Sequence, residues 1–176
     1  MKRREVLRVG VGMAATLTVT SAFSRTNARL ERSLGFYNTH TEETLRAVYW
    51  AEGKYQPEAL QEINRILRDH RTGDVYGMDE SLLDLLYLLQ TRTGRKDRFH
   101  VISGYRSPAT NAMLRAHSAG VAKHSYHMRG KAVDIRLPGY DLTRLRQAAL
   151  ALKGGGVGYY PSSNFIHVDV GPVRRW

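Results

Sequence analysis

The segment Phe165-Ile166-His167-Val168-Asp169-Val170 alternates between apolar and polar residues. A period of two belongs to a half-buried strand, with Ile166, Val168 and Val170 on one face and His167 and Asp169 on the other. Residues 132–137 repeat the pattern, sending Val133 and Ile135 toward a core and Asp134 to the opposite face. Any fold for this chain therefore needs a sheet that buries one face and carries ionisable side chains on the other. The stretch just before residue 132 constrains it further. His127 and Asp134 would lie about 10 Å apart along a continuous helix. Along a continuous strand the separation would be about 23 Å. A reversal at Gly130 brings them together, and glycine is the residue suited to making it.

The other segments supply further strands and helices. Residues 34–37 and 45–50 are expected as strands around the polar turn Asn38-Thr39-His40-Thr41. Pro57 opens a helix expected to reach His70, with Leu60, Ile63 and Leu67 on one face. Asp79 caps a second helix over residues 80–93, whose leucine stripe is core. A short strand over residues 99–102 enters Ser103-Gly104-Tyr105-Arg106, and Ser107 and Pro108 start a helix to about His117. A last helix, residues 141–153, is stopped by Gly154-Gly155-Gly156 and followed by a strand over residues 157–160. After the first strand pair, helices come first and strands mostly late, without strict βαβ alternation. The expected class is α+β, an antiparallel sheet with flanking helices. No repeat or low-complexity tract divides residues 29–176, so they are expected to form one domain.

Residues 1–28 have the layout of an export signal. Lys2, Arg3, Arg4 and Arg8 precede a weakly apolar stretch over residues 9–23, too short and too rich in Gly and Thr for a membrane span. Lys2-Arg3-Arg4-Glu5-Val6-Leu7 resembles a twin-arginine signal, with Val6 where such signals prefer Phe. The whole chain carries a formal charge of +11, and without the signal 22 basic residues still face 15 acidic ones. That balance suits a polyanionic partner. Nucleic acid is not expected, because no recognition motif accompanies the charge and export works against it. Cysteine is absent, which excludes disulfides, thiol nucleophiles and Cys-based metal sites. A metal would have to use His, Asp or Glu.

If the two alternating strands are neighbours, His127, Asp134 and His167 make a three-ligand site with a fourth position open, the arrangement of catalytic zinc. The alternative from spacing alone is a pair of partly buried histidines beside a strand-end carboxylate. Here the residues carry a resemblance. SYHMRGKAVD fits S-x-H-x-x-G-x-A-x-D, the signature of the zinc peptidases that include D-Ala-D-Ala carboxypeptidases and dipeptidases. Those enzymes share a fold with the Hedgehog signalling domain. FIHVDV resembles their second motif, and SGYRS at residues 103–107 resembles the segment whose arginine faces substrate. The resemblance covers residues 99–176. With the signal and the ending GGVGYYPSSNFIHVDVGPVRRW, it is nearest the periplasmic murein endopeptidase branch. It implies a Hedgehog/D,D-peptidase-like fold and one zinc ion on His127, Asp134 and His167. It further implies a periplasmic, monomeric metallopeptidase that cuts peptidoglycan cross-link peptides, of D,D- or L,D-type.

One position departs from the pattern. Many relatives carry an acidic general base three residues before the last zinc histidine, and here that residue is Asn164, which cannot take a proton. Asp169, on the same strand face, is the candidate base, or else orients a ligand. His124 is a weaker candidate. Arg106 is expected to contact a substrate carboxylate or carbonyl oxygen. Its alternative is a surface arginine at a helix start, where its charge has the wrong sign. Ser125 lacks a nucleophile's partners and is expected to donate or accept a hydrogen bond. His40, His70, His100 and His117 are expected to be structural or solvated. The rival function is a non-catalytic peptidoglycan-binding module with structural zinc, Asn164 marking a lost base.

Overall fold

The computed structural model describes residues 31–118 and 120–176. The proposed export signal lies outside the described residues. The alternating segments assemble into an eight-stranded sheet. In chain order the strands are β1 (Arg32–Asn38), β2 (Thr44–Ala51), β3 (Lys54–Tyr55), β4 (Phe99–Ser103), β5 (Ala132–Arg136), β6 (Gly156–Tyr160), β7 (Phe165–Asp169) and β8 (Arg174–Arg175). Across the sheet they are ordered β3-β2-β1-β4-β5-β7-β6-β8. The helices are α1 (Pro57–Ile66), α2 (Glu80–Thr93), α3 (Pro108–His117) and α4 (Leu142–Leu152).

The α+β class holds. The sheet, however, is mixed: five pairings are antiparallel, while β1–β4 and β6–β8 are parallel. The first parallel pair arises because α1 and α2 carry the chain back before β4 begins. The second arises because β7 runs antiparallel to β6 and the bend over residues 170–173 reverses the chain once more.

Burial follows the alternation. Leu34, Phe36, Tyr49, Phe99, Val101, Val133, Ile135, Ile166 and Val168 all point to one face and are buried. There they join Ile63 of α1, Leu82, Leu86 and Leu89 of α2, and Leu145 of α4 in one core. Asp79 caps α2 as expected, its Oδ1 accepting the Ser81 N–H at 2.9 Å. Ser107 does the same for α3 through the Thr110 N–H at 3.2 Å.

Two helix ends differ from expectation, and the first bears on the site. Helix α1 stops at Ile66 rather than His70. The Leu67 carbonyl is taken by the Tyr105 N–H at 2.7 Å. Buried Asp69 accepts the Ser107 N–H through Oδ2 and the Arg71 N–H through Oδ1, each at 2.9 Å. The chain thus leaves helical geometry to clamp the segment that carries Arg106. Gly104 permits the close approach, since a Cβ there would collide with the Leu67 carbonyl. Helix α4 ends at Leu152, with Lys153 in the left-handed region at φ 53°, one residue before the glycine run. Gly154 is needed instead for packing against Leu85.

Candidate metal centre

The side of the sheet opposite the core carries the ionisable residues. A single 3₁₀ turn, Tyr126–Arg129, leads into β5, and the Ser125 hydroxyl accepts the His127 N–H at 3.3 Å at its start. Gly130 ends the turn at φ 64°, against the Gly77 carbonyl, where a Cβ would not fit. The chain reverses there, as the sequence required, and Asp134 of β5 pairs with His167 of β7. His127, Asp134 and His167 are all buried and each offers a ligand atom, these atoms lying within 4.8 Å of one another. Asp134 Oδ1 is 3.2 Å from His127 Nε2 and 2.9 Å from His167 Nδ1. The two ring nitrogens are 3.1 Å apart.

Hydrogen-bond partners assign the tautomers. His127 Nδ1 faces the Gly104 carbonyl at 2.7 Å, an acceptor only, so it donates and leaves the Nε2 lone pair toward the centre. His167 Nε2 donates to Asp169 Oδ2 at 2.9 Å and leaves Nδ1 toward the centre. Two lone pairs and a carboxylate oxygen therefore converge on one point, an arrangement that needs a cation. Two imidazoles and a carboxylate, with no thiolate, form a donor set that fits zinc. The ionisation of the groups agrees. Burial would raise the Asp134 carboxyl, but both histidines outweigh it and hold it below the usual range. Burial lowers His127, while His167 is raised because Asp134 and Asp169 overcome burial. The Asp134 carboxylate is held ionised between the two rings.

Asp169 lies behind His167, on the ring edge away from the point of convergence. It is 0% exposed, and both its oxygens are engaged. Oδ1 accepts from the backbone N–H of Gly156 and Gly171, and Oδ2 from His167. The Arg174 guanidinium forks onto both, at 3.0 Å and 2.6 Å. Burial opposes its charge, but His167 and Arg174 hold the carboxyl well below the usual range. Asp169 thus contacts the His167 ring and not the point of convergence. Arg174 had no place in the sequence reading. Its one available signal was that an aspartate buried on the polar face of a strand requires a nearby cation. Gly156 makes the seat, since a Cβ there would meet both Arg174 and Asp169.

Arg106 is mostly buried, with Nη2 3.2 Å from Ser103 Oγ and 3.4 Å from Asp134 Oδ2. Its buried Nε has no partner among the described residues. It borders a cleft of about 610 Å³ over the three-residue cluster, walled also by His124, Tyr126, Tyr160, Phe165 and Trp176. The Trp176 indole donates to the Tyr160 hydroxyl at 2.8 Å and lies 5.2 Å from the His167 ring. Of these aromatics, Tyr126, Phe165 and Trp176, like Arg174, were not singled out as site residues from sequence, whereas Tyr160 was expected in sheet packing or groove lining. Asn164 is exposed, at φ 52° in the turn before β7. The other histidines stand elsewhere: His40 stacks on His70 at 3.7 Å, His100 lies against Tyr37, and His117 Nδ1 contacts the Met113 carbonyl.

The family model described as peptidoglycan L,D-endopeptidase MepK matches residues 26–176. The chain belongs to this family. Among relatives, the peptidoglycan L,D-endopeptidase MepK of Escherichia coli (strain K12) is 43% identical over 175 residues, 99% of this chain and 96% of that protein. The MepK of Shigella flexneri matches to the same extent. A probable peptidoglycan L,D-endopeptidase MepK of Haemophilus influenzae (strain ATCC 51907 / DSM 11121 / KW20 / Rd) is 42% identical over 176 residues, 99% of this chain and 95% of its own. The MepK match takes in every element that builds the centre, from Gly104 to Arg174.

Proposed function

We propose that this chain is a zinc-dependent peptidoglycan endopeptidase that hydrolyses peptide cross-links of the L,D type named for its relatives. The observation that carries this is the convergence of His127 Nε2, His167 Nδ1 and Asp134 Oδ1 beneath a cleft, in a chain of the MepK family. These three residues would hold one zinc ion. When bound, zinc supplies polarisation of an amide carbonyl and acidification of water. The Gly104 carbonyl and Asp169 keep the two imidazoles in the ligating tautomer, and Arg174 keeps Asp169 in place. Arg106 turns its fixed charge toward the cleft, where it can steady negative charge developing on the carbonyl oxygen. The aromatic walls hold the peptide strand and exclude bulk water. His124, the cleft histidine outside the ligand set, takes a proton from the attacking water and passes it to the departing amine.

MepK family membership supports catalysis over the non-catalytic wall-binding module. Residues 1–28 direct export, by the twin-arginine route, and residues 29–176 act in the periplasm as a single-domain monomer. Purified sacculi digested with zinc-loaded and chelator-treated protein test this. Mass spectrometry should show cross-linked muropeptides converted to monomers in the first case only. Unchanged cross-links at saturating zinc, with the protein still bound to sacculi, would leave the wall-binding module in its place.

A further inference from the structure

The open face of the sheet continues past the metal centre. Asp134 pairs with His167 on one side and Ser103 on the other. Two residues along the same face of β5, Arg136 pairs with His100, His100 with Tyr37, and Tyr37 with Thr44. Within this row the Tyr37 and His100 rings lie 4.7 Å apart, tilted by 51°. Farther along β1, Gly35 pairs with Arg46. Gly35 points its missing side chain to this face, between the buried Leu34 and Phe36. Into the space left by it come Arg98 Cγ, 3.0 Å from where a Cβ would stand, and Arg46 Nη2, at 3.5 Å. Arg46 also donates to the Lys96 carbonyl at 2.8 Å.

Arg32 pairs with Asp84, Arg68 with Glu43 and Arg95 with Asp97. Among the described residues no carboxylate lies within ion-pair distance of Arg46, Arg98 or Arg136. Like charges that share a face with no ion-paired acid repel in the free protein, and an anionic partner relieves that repulsion. We infer that this face, with Arg46, Arg98 and Arg136 around Tyr37 and His100, docks the carboxylate-bearing stem peptides of a peptidoglycan strand. Peptide carboxylates are favoured over lipid phosphates because Arg136 adjoins Asp134 on the same strand face, so the patch runs into the cleft that takes the cross-link. The inference rests on the endopeptidase reading.

The test uses the full chain and the variant R46Q/R98Q/R136Q, with R46Q/R98Q, both at exposed residues, as the milder second variant. Zinc content is measured for each. Binding of chelator-treated protein to sacculi, by co-sedimentation at low salt, should weaken about 10-fold in the triple variant, and the difference should vanish at high salt. Zinc-loaded turnover of sacculi should fall in parallel, while turnover of a soluble cross-linked muropeptide dimer stays unchanged. Sacculus binding equal to wild type would overturn the inference. So would a loss confined to phosphatidylglycerol vesicles, or an equal loss on the soluble dimer. A wild-type chain that leaves the dimer uncut would sink the enzyme reading instead, and the co-sedimentation result would still decide the patch.

Discussion

Each histidine of the centre is aimed by a partner that can only accept: the Gly104 carbonyl for His127 and the Asp169 carboxylate for His167. This separates the effects of neighbouring substitutions. His127→Ala, Asp134→Ala and His167→Ala should each abolish hydrolysis and reduce bound zinc, measured by equilibrium dialysis and atomic absorption, because three protein ligands leave none to spare. Asp169→Asn should act at one remove. Zinc affinity is expected to fall about 10- to 100-fold, with turnover largely recovered at saturating zinc. A drop in turnover of about 10² to 10⁴ at full zinc occupancy would instead make Asp169 the base. Strand alternation and Gly130 allowed His127, Asp134 and His167 to meet, and the resemblance of SYHMRGKAVD and FIHVDV to zinc peptidase motifs chose a metal site over partly buried histidines. Arg174 was not legible, since its meeting with Asp169 depends on β8 lying beside β6, which no local pattern encodes.

Among the elements, the reversal before β5 and the end of α1 bear most on the site. Gly130→Ala forces a left-handed alanine against the Gly77 carbonyl. The backbone alone costs about 1–2 kcal/mol, and the collision adds to it. Urea unfolding should show a loss of about 2 kcal/mol or more, with weaker zinc binding alongside. After α1, the stacked His40–His70 pair makes stability depend on pH. Burial first, then His40, pushes the His70 pKa from 6.5 down to about 4. The unfolded chain therefore binds this proton more readily, so the contribution is complete above about pH 6.5 and fades as pH falls toward 4. In the metal-free chain, His70→Gln should flatten the fall of the urea midpoint between about pH 7 and about pH 5. An unaltered slope would contradict the assignment. The long strands and capped helices were visible in the sequence through period and cap residues. The end of α1 was hidden because Leu67 keeps helical spacing while its carbonyl is claimed by Tyr105, and β3 and β8 are too short to show a period.

Over the whole molecule, one face of the sheet is covered by α1, α2 and α4 and the other presents the metal centre, the cleft and the arginine patch. The α+β class followed from the order of elements. The parallel pairings did not, because they depend on the route α1 and α2 take between β1 and β4. The proposed function requires one zinc ion, held by His127, Asp134 and His167, for cutting a peptidoglycan cross-link. Titrating metal-free protein with zinc while following release of monomers from a cross-linked muropeptide dimer tests it most directly. The rate should rise from zero and break at one zinc per chain, and the His167→Ala chain should show no rise. Full turnover in the metal-free protein, or no turnover at one equivalent and beyond, would contradict it.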